Sequence, residues 1–215
     1  DENSQKTKVL LVSTTKNISN VYEKSFEKSN LEVGSIEVDC FSIQRAFLGN
    51  QKGNYLIIDI GGKVTNFIGI LKGQLIFNRN IDLAGDKLTE LISKTLNVNK
   101  ERAEMIKLKQ GLKTDSKEIL ESVLKPFCDS IVEQAQKRIA EFKDLEEVDL
   151  DKIILNGGTS EMIGFKDYIE EQLKIDVVYG NPWSRIEYPK EIKDKILSYS
   201  PFFSVAVGLA LIDFE

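Results

Sequence analysis

Apolar residues along this chain alternate between two spacings. Ile18, Val21, Tyr22 and Phe26 recur every three or four residues, which predicts a helix over "KNISNVYEKSFEKSN". Before it, "KVLLVST" (8–14) reads as a buried strand. After it, "LEVGSIEVDC" (31–40) reads as a second strand, with Val33, Ile36 and Val38 apolar. "FSIQRAFLG" (41–49) predicts a short helix stopped by Gly49. Strand, helix, strand and helix in succession predict a small α/β unit over residues 1–50, with loose polar residues at 1–7. "GNQKGN" (49–54) reads as the linker that follows.

The pattern then changes. "YLIIDI" (55–60) is apolar throughout, as expected of a strand covered on both faces. "VTNFIGIL" (64–71) and "QLIFNRNIDL" (74–83) follow, joined at Lys72-Gly73, a hairpin signal. In the second of them Leu75, Phe77, Ile81 and Leu83 are expected on one face. Asn78, Asn80 and Asp82 fall on the other, with Arg79 the exception on the apolar side. A helix over 86–96 carries Leu88, Leu91, Ile92 and Leu96 on a stripe, and a helix over 99–110 ends at Gly111. Asp115 and Glu118 resemble a capping box for a long helix with Ile119, Val123, Phe127, Ile131, Ala135 and Ile139 along one side. Pro126 predicts a kink or break in it. "KIILNGG" (152–158) is a strand running into a glycine turn, "GFKDYIEEQL" (164–173) is amphipathic, "IDVVYG" (175–180) is a strand, and Ser200-Pro201 opens a last apolar helix. The class is α/β.

Composition removes several functions. The chain has 215 residues, 41% hydrophobic and 29% charged, enough for one large domain or two small lobes with real cores. A net charge of -5 without a basic, aromatic-laced run argues against nucleic acid as a partner. With no histidine, Ser-His and Cys-His nucleophile systems are excluded, and so are the common zinc sites. Cys40 and Cys128 read as reduced, buried and inert, which suits a reducing compartment. "PFFSVAVGLALI" (201–212) is shorter than the about 20 residues a membrane helix needs, and no signal peptide is visible. The chain opens at Asp1 without a methionine and is expected to be a piece of something longer.

Three groups of residues carry candidate chemistry. Asp59-Ile60-Gly61-Gly62 lies between two strands, where glycines let backbone N–H groups approach a phosphate. Asp59 could hold magnesium through water, Thr65 could donate to a phosphate, and Lys63 could pair with one. A ligand-free hairpin would show the same letters. Gly157-Gly158-Thr159 follows a buried strand and makes room for a flat group, or for a sharp turn. Glu104 and Lys107, three residues apart on one helix face, could grip ribose hydroxyls or form a surface ion pair. Gly85, in the Ala-Gly-Asp that opens a helix, completes the candidate set.

The order Asp-x-Gly-Gly, Ala-Glu-x-x-Lys, strand-Gly-Gly-Thr is that of the second lobe of the actin-like ATPase (RNase H-like) fold, and from Tyr55 onward the chain resembles the cell-division protein FtsA and the heat-shock ATPases. It is more similar still to the PilM family of type IV pilus assembly proteins. "VLLVSTTKNISNVYEKSFEKSNLEVGSIEVDCFSIQRAF" resembles that family's small inserted subdomain, and "LKPFCDSIVEQAQKRIAEF" its long helix with the proline. "ILNGGTSEMIGFKDYIEEQL", "VVYGNPWSRI" and "FSVAVGLAL" resemble its glycine turn, its Asn-Pro-aromatic segment and its ending. The resemblance implies an actin-like second lobe at 54–215 behind the small subdomain, with the first lobe absent. It implies ATP and magnesium as ligands of the two-lobed cleft, bound weakly or not at all by this half alone.

The same resemblance implies a cytoplasmic scaffold, peripheral on the inner membrane. It would bind the cytoplasmic tail of a PilN-like membrane protein beside other pilus platform proteins, with residues 8–48 on the partner-binding side. An apolar patch exposed there is expected. Relatives that hydrolyse ATP often read Asp-x-Gly-Gly-Gly-Thr-x-Asp, whereas Asn66 stands here at the last position, so at most weak ATPase activity is expected. The alternatives are an ATPase or sugar-kinase-like phosphotransferase on the same fold, for which Asp59 is the candidate base, and an FtsA-like division scaffold. The latter predicts an amphipathic membrane helix after a linker, whereas the chain ends at "LIDFE".

Overall fold

A computed structural model describes residues 9, 11–146 and 148–214. Five strands form one sheet: β1 (Tyr55–Ile60), β2 (Thr65–Leu71), β3 (Gln74–Ile81), β4 (Lys152–Asn156) and β5 (Val177–Tyr179), in the order β3-β2-β1-β4-β5. The three first strands are antiparallel neighbours, and β4 and β5 add on in parallel beyond β1. Lys72 and Gly73 both take positive φ, 51° and 80°, the pair of values that a two-residue type I′ hairpin requires.

Alternation along β1 splits the interior into two cores. Leu56, Ile58 and Ile60 face one, filled by Leu88 and Ile92 of α3 (Gly85–Leu96), Ile106 of α4 (Lys100–Lys109), Ile131 of α6 (Lys125–Glu146) and Phe165 of α7 (Phe165–Leu173). Tyr55 and Ile57 face the other, filled by Ile43 and Phe47 of α2 (Asp39–Leu48) and Val207 of α9 (Ser200–Ala210). The sheet is thus sandwiched between helices, which is why β1 reads as a continuous apolar run.

Several sequence expectations are corrected. Leu75 does not share a face with Phe77, Ile81 and Leu83. The register slips between Gly69 and Ile70, so that Gly69 faces Phe77 while Ile70 faces Leu75. The extra residue, Ile76, turns Leu75 to the α2–α9 core. Leu91 of α3 lies 42% exposed, off the buried stripe of Leu88 and Ile92. The long helix is capped by Ser116, whose Oγ accepts from Ile119 N at 3.4 Å, and not by Asp115. Its break is a wide turn at Leu120–Leu124, between the short α5 (Lys117–Ile119) and α6, just ahead of Pro126. Proline lacks the N–H that an unbroken ladder needs there, and the wider turn absorbs the loss.

Near the start, α1 (Lys16–Glu27) forms as expected. The strand expected at 8–14 lies partly outside the described residues, as do residues 1–7, and residues 11–15 carry no strand. Residues 31–38 are not a strand either. A strand needs a hydrogen-bonded neighbour, and this segment joins no sheet among the described residues. Glu37 anchors it instead, forked on Arg45 of α2 at 2.6 and 2.9 Å and also accepting from the Ser42 hydroxyl. The fork holds the Glu37 carboxyl below its ordinary pKa, against the opposing effect of burial.

α2 and α9 pack backbone to backbone. A Cβ at Gly208 would overlap the Ser42 carbonyl oxygen, and Arg45 Nη1 donates to the Gly208 carbonyl at 3.0 Å. Trp183, in the turn Pro182–Arg185, lies against Phe203 of α9 with ring centroids 5.9 Å apart. Between that turn and α9 runs a short α8 (Lys193–Ser198). Both cysteines are buried and free, and burial pushes their thiols up to about 11 for Cys40 and about 12 for Cys128. No helix among the described residues is long and apolar enough to cross a membrane.

Two outcomes follow for urea unfolding. Gly208→Ala is expected to cost about 2 kcal/mol through overpacking, read as a lower midpoint at unchanged slope. Glu37 contributes stability above its unfolded pKa that is lost as pH falls through its lowered folded value; in Glu37→Gln this part of the acid dependence is absent.

Candidate functional site

β1 and β4 are parallel, so their carboxyl ends open on the same side, where a cavity of about 350 Å³ lies. Its floor is one row of the sheet. Asp59 is opposite Asn66 on β2 and opposite Asn156 on β4. Asn156 Nδ2 donates to Asp59 Oδ1 at 2.8 Å, and Asn66 Nδ2 donates to Oδ2 at 3.3 Å. The second N–H of Asn156 goes to Ser204 Oγ of α9 at 2.9 Å. Both donors of Asn156 are therefore directed, which fixes the amide: reversed, its oxygen would face the carboxylate.

Asp59 titrates above an ordinary aspartate. Burial is the main cause, the negative charge of Asp39 at the start of α2 adds to it, and the two amide hydrogen bonds oppose it. The carboxylate is thus half-buried at the cavity floor and supplied with donors, as a charge drawn out of water must be.

All the sequence-predicted residues except Lys63 and Thr65 line this cavity. Asp59, Gly61 and Gly62 come from the β1–β2 turn, Gly85 from α3, Glu104 and Lys107 from α4, and Gly157, Gly158 and Thr159 from the turn after β4. Thr65 is buried, and its hydroxyl donates to the Leu83 carbonyl at 2.6 Å. Lys63 is exposed on the turn.

The predicted pair on α4 is half sunk. Lys107 Nζ lies 2.7 Å from Glu104 Oε2, with the lysine side chain 4% exposed and the glutamate 43%. Lys107 also donates to Thr89 Oγ1 at 3.0 Å and to the Gly85 carbonyl at 3.3 Å, so its three protons are committed within the protein. The Thr89 hydroxyl also donates to Glu104 Oε2, and the half-exposed glutamate borders the cavity.

Two glycines have packing reasons. Gly157, at φ 84°, passes under β1, where a Cβ would overlap the Ile60 carbonyl. A Cβ on Gly85 would overlap the Thr159 hydroxyl. The β1–β2 turn is tied to α3 as well: Gly85 N and Asp86 N donate to the carbonyls of Gly61 and Gly62 at 2.9 and 2.8 Å.

Asn156, Ser204, Asp86, Phe202 and the nearby Asp39 were missed in the sequence. Asn156 had a usable signal, since it ends its strand just before a glycine pair, much as Asp59 precedes Gly61-Gly62. Ser204 and Phe202 reach the cavity only through the crossing of α9, which no local pattern encodes.

The cavity carries Asp59, Asp86 and Glu104 against Lys107, and Lys107 is already paired. A bare phosphate would meet net negative charge here, so the residues fit a nucleotide only together with a divalent cation.

Residues 1–214 match the family described as type IV pilus assembly protein PilM. The chain belongs to the PilM family. Among solved structures it is similar to a PilM-PilN type IV pilus biogenesis complex, with a TM-score of 0.77, 20% identity, and 92% of this chain and 58% of that one covered. It is also similar to the ethanolamine utilization protein EutJ of Carboxydothermus hydrogenoformans (TM-score 0.66, 19% identity, 92% of this chain and 62% of that one). A third is MreB5 of Spiroplasma citri, solved with AMPPNP bound (TM-score 0.66, 16% identity, 94% and 65%). These neighbours have the actin-like ATPase fold, and the PilM-family chain shares it. Among curated proteins, FtsA of Pseudomonas aeruginosa is 26% identical over 230 residues, 95% of this chain and 53% of its own length. FtsA of Staphylococcus epidermidis is 23% identical over 180 residues, 74% and 39%. The chain spans about half of the first of these relatives.

NMR titration of side-chain carboxyl groups is expected to place Asp59 above the ordinary value for an aspartate, and Asn66→Ala is expected to raise it further by removing a bond that favours the charged form. The sign for stability is the reverse of that for Glu37: Asp59 favours folding most below its unfolded pKa, and this is lost as pH rises through its raised folded value.

Proposed function

We propose that the chain is the nucleotide-proximal half of a cytoplasmic, membrane-peripheral scaffold of the type IV pilus platform, binding the cytoplasmic tail of a PilN-like membrane protein. The observation that carries this is α1. None of its residues is buried, and its apolar stripe of Ile18, Val21, Tyr22 and Phe26 lies 52%, 64%, 56% and 44% exposed. Leu31 and Ile36 extend the exposed apolar surface. Such a patch marks an interaction surface, and it lies within residues 8–48, the part that the resemblance implies is on the partner-binding side. Similarity to the PilM component of a PilM-PilN complex supports the same partner class.

Nucleotide acts in this reading as an ordering ligand. Asp59 would hold magnesium through water, Glu104 would accept from ribose hydroxyls, and the turns at Gly61-Gly62 and Gly157-Gly158 would border the phosphates. The metal supplies the positive charge that this acidic cavity lacks. A ligand that favours one arrangement of the protein shifts the population toward it without being consumed. Turnover is at most slow in this reading, because Asn66 stands where the resemblance leads one to expect a carboxylate, and Asp59, the candidate base, is already assigned to the metal.

The first test is binding of a synthetic PilN-like tail peptide, read by fluorescence anisotropy. Val21→Asp with Tyr22→Ala is expected to weaken it about tenfold or more, as loss of a buried apolar anchor does, with the circular dichroism spectrum unchanged. Equal affinity for both proteins would remove α1 from the interface. In calorimetry, ADP binding is expected only with Mg²⁺ present; binding that survives EDTA unchanged would contradict the charge argument.

A further inference from the structure

We propose that α9 is a lever linking the cleft to the segment 31–38 that precedes α2 and follows α1. This rests on the reading that nucleotide and magnesium occupy the cleft, and adds to it a route by which that site regulates the partner surface.

The route consists of buried polar contacts one turn apart on one helix. At the cleft end, Ser204 accepts from Asn156, whose other N–H holds Asp59. One turn later on the same helix, the Gly208 carbonyl accepts from Arg45, and Arg45 forks on Glu37. Residues four apart lie on one helical face, so a shift or roll of α9 that changes the Ser204 contact also acts on Gly208. Play at the far end is small, because the Gly208 backbone rests on the Ser42 carbonyl. Packed interiors transmit such displacements rather than absorb them.

The cleft end is built to respond. Asn156 is 4% exposed, yet its Oδ1 is buried without a hydrogen-bond partner. An under-satisfied amide loses less by re-aiming than a fully bonded one. Asp59 would hold magnesium through water, and Asn156, which donates to the same carboxylate and to Ser204, would then change its hold on Ser204. The responding end is equally suited. Residues 31–38 join no sheet among the described residues, and Glu37 ties them to α2, so a movement of Arg45 resets the segment and the angle of α1.

The test is hydrogen exchange, read by mass spectrometry on the 215-residue chain, on Ser204→Ala and on Glu37→Gln, each with and without Mg·ADP. Without ligand, Ser204→Ala is expected to speed exchange in peptides covering 31–38 about fivefold, the scale of one lost hydrogen bond. Glu37→Gln is expected to speed exchange around 200–205, since coupling is reciprocal. Mg·ADP is expected to slow exchange at 61–66 and 157–160 in all three proteins, and to alter 31–38 in the unmodified chain alone.

Changes confined to the neighbourhood of each substitution would overturn the lever, whatever the nucleotide does. Propagation in both variants with no protection of the cleft by Mg·ADP would keep the lever and remove Mg·ADP as its trigger in this half-cleft. If Ser204→Ala speeds exchange everywhere through global destabilisation, Glu37→Gln carries the same test from the other end.

Discussion

A half-buried carboxylate at the end of a central strand is the constraint around which this protein is arranged. Asp59 can stay in the interior only if its oxygens are supplied with donors, and the sheet supplies them from both sides. Asn66 and Asn156 come into line because β2 runs antiparallel and β4 parallel to β1 in a register that places all three residues in one row. The same requirement recruits α9, since the Asn156 amide is oriented partly by Ser204. Sheet register, cleft chemistry and the seating of the last helix are thus one problem with one solution.

That arrangement also bears on what the site can do. In relatives that hydrolyse ATP a carboxylate often stands where Asn66 stands here. An amide there donates to Asp59, in keeping with the proposal that the site orders a ligand rather than turning it over. The acidic surroundings of Lys107 point the same way: the lysine is held by Glu104 and Thr89 and organises α3 against α4.

Much of this was legible in the chain. The strands of the sheet, the hairpin at Lys72-Gly73, the stop at Gly49 and the break near Pro126 all follow from local backbone chemistry. The cavity-lining glycines were legible because glycine is needed where backbones meet, as at Gly157 under β1. What local pattern could not deliver was anything decided by a distant neighbour. Residues 31–38 have the composition of a strand but no strand beside them. Leu75 sits on the wrong side of a bulge whose signal is a register slip, not a residue type. Thr65 had the right chemistry for a phosphate, but its hydroxyl was claimed by Leu83.

The contact between Trp183 and Phe203 gives the molecule a built-in optical reporter. Trp183 is the one tryptophan in the chain, and its ring rests on the helix that borders the cleft. Indole emission responds to the polarity and packing of its surroundings, so displacement of α9 against the Pro182–Arg185 turn would register as a change in intrinsic fluorescence. Movements of that helix can therefore be followed in the unlabelled protein, in real time, with no dye attached.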